Sequence, residues 1–364
     1  MKKAAVIIGG ILLFFLVLYL LQTLVRDRVI NDFSHEKSKK SSLISPTPYK
    51  KVQPTGQDKV SEFVPYWTLG QKIDSDGNEL IYFGIAAGQD GINREDEGFR
   101  RLPQFVSQAG ERQKILTLRM LDQEISSNVI ENKSMQDKLI SETLDVAKSN
   151  GFEGVVLDLE LKALPFDSVI QNINTFVTSF NKQAKEEGLS FSVLVYGDTF
   201  YRVRPYDIKT LAKNSDEIMI MAYDFHKAGG SPGPNFPLRG SAKYGYDFQE
   251  MISDFLRVVP KEKLTVVFGM FGYDWEVRDG GESTGPAQAL SLSNMTNRFL
   301  KDCAFSECSV RRDGDAGETM VEYVEQGSRH VVWFEDKESV RQKQAFLKDR
   351  GINSFSYWAY SFFD

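Results

Sequence analysis

Histidine is scarce in this chain of 364 residues: His35, His226 and His330 are the only three, and no H-E-x-x-H spacing occurs. That scarcity argues against a histidine-built metal centre, and neither a metal nor a cofactor is expected. It also leaves "GESTG" (281–285), which fits the G-x-S-x-G pattern, without the partnered histidine and strand-to-helix turn that a serine nucleophile needs; Pro286 follows at once. Cysteine is scarcer still, at Cys303 and Cys308 only. The four residues between them permit a disulfide across a tight loop, which fits an oxidising compartment; two reduced surface thiols are the alternative. Positive charge is also short. The chain is −6 overall, with +2 on residues 1–25 and +3 on residues 26–58, which leaves −11 on residues 59–364. A domain that acidic lacks the basic surface that phosphate contacts require, so nucleic acid is not an expected partner.

Uncharged runs are short everywhere except at the start. Residues 4–25, "AAVIIGGILLFFLVLYLLQTLV", carry no charge and are long enough for a helix to cross a hydrocarbon core of ~30 Å. A cleavable signal would have a shorter apolar core and a small-residue exit site, which this stretch lacks. The expectation is an uncleaved N-terminal anchor over residues 1–25, with the lipid bilayer as partner and the cell membrane as location. Lys2 and Lys3 precede the span and Arg26, Arg28, Lys37, Lys39 and Lys40 follow it, so charge does not orient it. Residues 26–58 are rich in Ser, Pro and Lys, show no apolar period, and read as a flexible tether.

From residue 59 onward, apolar strand-like runs alternate with amphipathic helical patterns and no repeat is visible. The runs are 61–67, 80–88, 114–120, 154–160, 190–197, 217–225, 264–275 and 352–360. Helical patterns such as 134–151 and 167–188 end on Gly151 and Gly188, a common helix stop signal. Eight strands separated mostly by helices over about 300 residues predict an α/β fold, a single (β/α)8 TIM barrel spanning 59–364. Residues 283–335 interrupt that rhythm with a helix-like stretch (287–302) and strands near 319–324 and 329–334, and are read as a small α+β insertion after the seventh strand. The chain stops at "SFFD", so the last helix of an eight-helix ring is expected to be missing, with apolar surface exposed unless something covers it.

The fourth strand, "GVVLDLE" (154–160), poses the chemical question. Residues two apart share a strand face, so Val156, Asp158 and Glu160 point one way. In a barrel that is the interior, and the two acids sit at the C-terminal end, where barrel active sites are built. An unpaired interior carboxylate is costly to desolvate, which points to a site reached by water or substrate; a salt bridge to Arg119 is the alternative. Two carboxylates on one strand suit glycoside cleavage, where one protonates the leaving oxygen and the other stabilises positive charge at the anomeric carbon.

"EGVVLDLE" resembles the strand-4 signature D-G-x-D-x-D-x-E of glycoside hydrolase family 18. "MAYDF" (221–225) is similar to the family's M-x-Y-D at the end of strand 6. "GGSPGPNFPL" (229–238) resembles the loop that follows, and residues 331–360 resemble the run into strand 8. The resemblance spans 61 to about 361 and points to the branch of spore-cortex and cell-wall N-acetylglucosaminidases. It implies hydrolysis of β-1,4-linked N-acetylglucosamine glycans, peptidoglycan first and chitin second, by substrate-assisted retaining catalysis. Carried over by position, Glu160 is the general acid and Asp158 orients the substrate acetamido group. Tyr223 hydrogen-bonds the acetamido carbonyl and Asp224 contacts the sugar. Met221 and Trp358 floor the subsite, with Trp67 as a further aromatic wall. A barrel acting outside the cell would suit that substrate. The middle Asp of the signature is Val156 here. The resemblance implies that this residue should hydrogen-bond the next Asp, and valine offers nothing to bond with. Slow turnover, or a non-catalytic glycan-binding protein on the same barrel, is therefore the alternative expectation; a third is an anchored scaffold with a partner-docking surface.

Overall fold

The computed structural model describes residues 58–70, 72, 73, 75, 77 and 79–362. The apolar segment 4–25 and all but Asp58 of the tether lie outside them. Among the described residues no helix is long and apolar enough to cross a membrane. The expectation of a single-pass membrane protein with a lipid-bilayer partner is corrected to that extent: no described residue supports it, and the anchor expected over residues 1–25 falls outside the described residues.

Eight parallel strands form the closed barrel: β1 (Lys59–Pro65), β2 (Glu79–Gly88), β4 (Gln113–Met120), β5 (Gly154–Leu159), β6 (Ser190–Tyr196), β7 (Glu217–Ala222), β8 (Leu264–Gly269) and β14 (Ser354–Trp358). β3 (Gly91–Ile92) is a short antiparallel return on β2. The ladder runs β1-β14-β8-β7-β6-β5-β4-β2, and β1 pairing with β2 closes it. Alternation along these strands sorts the side chains. Phe63, Ile81, Ile115, Val156, Leu194, Met219 and Val267 form the interior layer, while Val64, Leu116, Leu157 and Val193 belong to the core outside the barrel wall.

The connections are helical after most strands. α1 (Glu97–Ala109) follows β3, and α2 (Gln123–Glu131) and α3 (Lys133–Ser149) follow β4. α4 (Asp167–Glu186), α5 (Ile208–Lys213) and α6 (Phe248–Leu256) follow β5, β6 and β7. Their starts are set by short polar caps: Asp96, Asp122, Asn132 and Asp247 each accept a backbone N–H of the first turn. Among the described residues between β1 and β2, Tyr66–Thr68 form a 3-10 turn. Among the described residues, apolar barrel surface near the last strand is covered by the chain between β1 and β2 and by Tyr360. Leu69, Ile73 and Tyr360 share one core with Val64 and Phe355, and the Tyr360 hydroxyl donates to the Lys72 carbonyl at 2.9 Å.

The insertion starts earlier than the sequence pattern suggests. The run 264–275 is two strands: β8 ends at Gly269, and β9 (Phe271–Val277) belongs to a separate antiparallel sheet. That sheet is ordered β10-β9-β13-β12-β11, with β10 (Gln288–Ser291), β11 (Ser306–Arg312), β12 (Thr319–Glu325) and β13 (Ser328–Phe334). Both halves of the run are buried, so hydropathy shows no break between them. The break lies at Gly269, where an added Cβ would stand 2.6 Å from both Phe271 and Tyr223. The stretch 287–302 opens as strand β10 and only then turns helical, because Gln288–Ser291 pairs with Phe271–Asp274. Cys303 and Cys308 are joined by a disulfide at the entrance to β11. α7 (Lys337–Lys348) returns the chain to β14, started by a capping box between Asp336 and Ser339.

Candidate active site

The C-terminal ends of the strands surround a cavity of ≈ 660 Å³. Asp158 from β5 and Glu160 just past its end, Met221 with Tyr223 and Asp224 from the end of β7, and Trp358 from the end of β14 all line it. Trp67 stands at its edge, 48% exposed, and Phe83, Leu121, Leu194, Phe271 and Tyr273 complete much of the wall. All seven residues singled out from the sequence therefore meet in one place.

Aromatic rings build the floor. Trp358 packs against Phe83 at 4.7 Å, Phe63 at 5.6 Å, Trp67 at 6.3 Å and Tyr223 at 6.5 Å between ring centroids. The Trp358–Ala359 peptide is cis. Such a floor presents a flat apolar surface with polar groups around it, the form that suits a sugar ring.

The acids differ in their surroundings. Asp158 is buried, and its Oδ1 has no hydrogen-bond partner. Burial, reinforced by Glu160, holds its carboxyl well above the usual carboxylate range, with Arg119 opposing. Arg119 itself is committed elsewhere: it donates to the Gly84 carbonyl at 3.1 Å and to Asp96 at 2.6 Å. The alternative reading of Asp158 as the salt-bridge partner of Arg119 is therefore not what the side chains do. Glu160 receives the Tyr196 hydroxyl at 2.5 Å on Oε2. Its backbone is clamped from both sides, because the Tyr206 hydroxyl donates to the Leu159 carbonyl at 2.7 Å and accepts from the Leu161 N–H at 2.9 Å.

On the other wall, Asp224 has a positive φ of 60°. The Asn235 side chain, which accepts the Asp224 N–H at 2.8 Å, holds this conformation. The Tyr273 hydroxyl donates to Asp224 Oδ1 at 2.6 Å. Burial raises the Asp224 carboxyl, opposed by that hydrogen bond and by Lys227. Tyr223 is raised well above the usual phenol range, first by burial and then by Asp158, so it stays a neutral donor. Asn235 comes from the loop 229–238. Its N–H and that of Phe236 donate to Glu318, a buried carboxylate of the insertion that also pairs with the fully buried Lys343. The loop thus contributes by bracing Asp224, and none of its residues lines the cavity.

Sequence reasoning missed Tyr196, Tyr206, Tyr273 and Asn235. Tyr196 had a signal, since Ser192, Leu194 and Tyr196 alternate on the inward face of "SFSVLVY". Tyr273 had none, because nothing local brings β9 to Asp224 beyond the end of β7. Among the described residues no group of three or more His, Cys, Asp or Glu is arranged to hold a metal ion.

Comparison with known proteins agrees with this architecture. The chain is 24% identical over 243 residues to the putative sporulation-specific glycosylase YdhD of Bacillus subtilis (strain 168), covering 65% of this chain and 53% of that protein. It is 24% identical over 294 residues to the cortical fragment-lytic enzyme of Bacillus anthracis, covering 77% and 64%. The chain thus spans less than two thirds of the length of these relatives. The crystal structure of the class V chitinase from Nicotiana tobaccum shares the fold with a TM-score of 0.71 at 17% identity, over 85% of this chain and 95% of that one. The Bacillus cereus spore cortex-lytic enzyme SleL does so at 0.67 and 20%, over 85% and 73%. The family description "Glycosyl hydrolases family 18" matches residues 100–362, and the chain belongs to that family.

Proposed function

We propose that this protein hydrolyses β-1,4-linked N-acetylglucosamine glycans, peptidoglycan first and chitin second, with retention and with the substrate's own acetamido group as nucleophile. The observation that carries the reading is the convergence of Glu160, Asp158, Tyr223 and Asp224 over the Trp358 floor in one cavity. Relatives named as cortical fragment-lytic enzymes and chitinases support the substrate class.

In this reading the sugar to be cleaved lies on Trp358 and Met221. Glu160 gives its proton to the glycosidic oxygen as the bond from that oxygen to C1 breaks, and the acetamido carbonyl oxygen bonds to C1 to form an oxazolinium ion. Tyr223 donates to that oxygen and Asp158 accepts the acetamido N–H, its carboxylate balancing the positive charge. Glu160, now ionised, takes a proton from water as the water oxygen attacks C1 and the ring of the ion opens. Burial and Glu160 hold the Asp158 carboxyl above its usual range. Positive charge developing on the acetamido group reverses that preference and the Asp158 proton leaves to solvent, which concentrates its electrostatic help in the intermediate and the flanking transition states.

Sugar release by the 364-residue chain from purified peptidoglycan and from chitooligosaccharides, beside Glu160→Gln, tests the proposal. Activity on either that drops by roughly 10²–10⁴ in the variant is expected. A second reading is favoured by Val156 and the unpartnered Asp158 Oδ1: a glycan-binding protein without turnover. Binding by both proteins with cleavage by neither would select it.

A further inference from the structure

The cleft edge beside Glu160 gathers cations in a domain that carries −11. Tyr196 touches Glu160, and two cations lie against the Tyr196 ring: the Arg204 guanidinium carbon 3.6 Å from its centroid and the Lys227 ammonium 5.4 Å from it. Arg204 donates to Asp198 Oδ1 through Nε at 2.8 Å. The same carboxylate receives Arg202 at 3.0 Å through its other oxygen. Asp198 is therefore one negative charge shared between two guanidinium groups. Lys227 is exposed and forms no ion pair among the described residues. Asp224 senses the Lys227 charge; it accepts the Tyr273 hydroxyl, and burial raises its carboxyl. His226 beside it is pushed down by burial, so it adds no charge near neutrality. What remains at this edge is a cation with no direct ion pair among the described residues, its charge sensed by Asp224.

Lys227 lies on the loop after β7, and its position relative to the reaction follows from its contact with Tyr196 at the end of β6. β5 and β6 lie across the barrel from β14, which carries the Trp358 floor. Glu160 must face the glycosidic oxygen, so groups beyond it from Trp358 meet the sugar on the departing side of the bond. We propose that Lys227, backed by Arg204, is a carboxylate-accepting subsite for that sugar. The preferred glycan is then one whose alternate residues carry a 3-O-lactyl carboxylate, as in peptidoglycan, over a neutral chitin chain. An acidic domain repels an anionic polymer at long range, and a single exposed cation without an ion pair beside the cleft selects for the carboxylate at contact. This inference rests on the hydrolase reading above and deepens it.

The test separates the two. In the Glu160→Gln background, which keeps substrate intact, calorimetry would compare a peptide-free tetrasaccharide of alternating N-acetylglucosamine and N-acetylmuramic acid with chitotetraose. The muramyl oligomer is expected to bind more tightly at low salt. Adding Lys227→Ala should reduce that preference by up to about fivefold, and Lys227→Glu by about tenfold or more, with the difference shrinking as salt rises. Reduction of the lactyl carboxylate to the alcohol should erase the effect of both substitutions. An unchanged ratio of dissociation constants in Lys227→Glu overturns the subsite. Absence of hydrolysis by the wild-type protein on both oligomers overturns the hydrolase reading instead, and leaves the binding ratio to decide the subsite.

Discussion

The Val156→Asn substitution tests how Asp158 works. Val156 is 1% exposed and packs in the barrel interior with Ile115, Leu194 and Met219. It shares the inward face of β5 with Asp158, whose Oδ1 is buried without a partner. An amide in place of the two methyl groups brings a donor to that face. A hydrogen bond to a charged group contributes about 1.5–3 kcal/mol, and part of that is available only when Asp158 is ionised. Recovering one pKa unit corresponds to 1.36 kcal/mol, or about tenfold in rate if the ionised form is what the oxazolinium ion requires. Against this, placing an amide in an apolar layer costs about 1–3 kcal/mol before the new bond offsets it. The expected result is a kcat about tenfold higher on chitooligosaccharides, with a Tm lower by a few degrees. The acid limb of the rate profile should also move down, because a donor lowers the raised Asp158 pKa and keeps the carboxylate ionised at lower pH. A folded Val156→Asn protein with unchanged kcat and an unchanged acid limb would refute the reasoning.

Two other predictions concern groups that sequence reasoning did not reach. Tyr196→Phe removes the donor to Glu160 Oε2; kcat should fall about tenfold with little change in KM, since the lost bond orients the acid and does not touch the sugar. A raised KM with kcat preserved would assign Tyr196 to binding instead. Glu335 is sealed with Lys343 and Glu318, and burial pushes its carboxyl up to about 7, with Lys343 opposing. The folded state thus holds the Glu335 proton more tightly than the unfolded chain does. The stability it contributes is complete below the ordinary carboxylate range and is lost as pH rises through about 7. Thermal melts from pH 5 to 8 should show this decline in the wild-type protein and a flatter profile in Glu335→Gln; equal slopes would show that Glu335 does not control it.

Much of the site was legible because its residues sit at strand ends, where a period of two assigns each side chain to a face. Asp158 and Glu160 followed from one such strand, and Tyr223, Asp224 and Trp358 from motif resemblance. What was hidden is their support. Tyr273 holds Asp224 across 49 residues of sequence, and Glu318 braces Asn235 across 83. No local pattern encodes partners that far apart. The early start of the insertion was hidden for a related reason: β8 and β9 are both apolar, and only the sheet each one joins tells them apart.

By itself, then, the sequence determined the barrel, its strand faces and the two carboxylates of β5, since alternation and turn chemistry act between near neighbours. Tertiary structure alone decided that Arg119 serves Asp96 and not Asp158, that Tyr196 rather than Asp158 holds Glu160, and that a valine leaves Asp158 Oδ1 unpartnered. Those outcomes depend on which strands come to lie side by side and on how many donors reach a buried oxygen, and both are properties of the closed barrel.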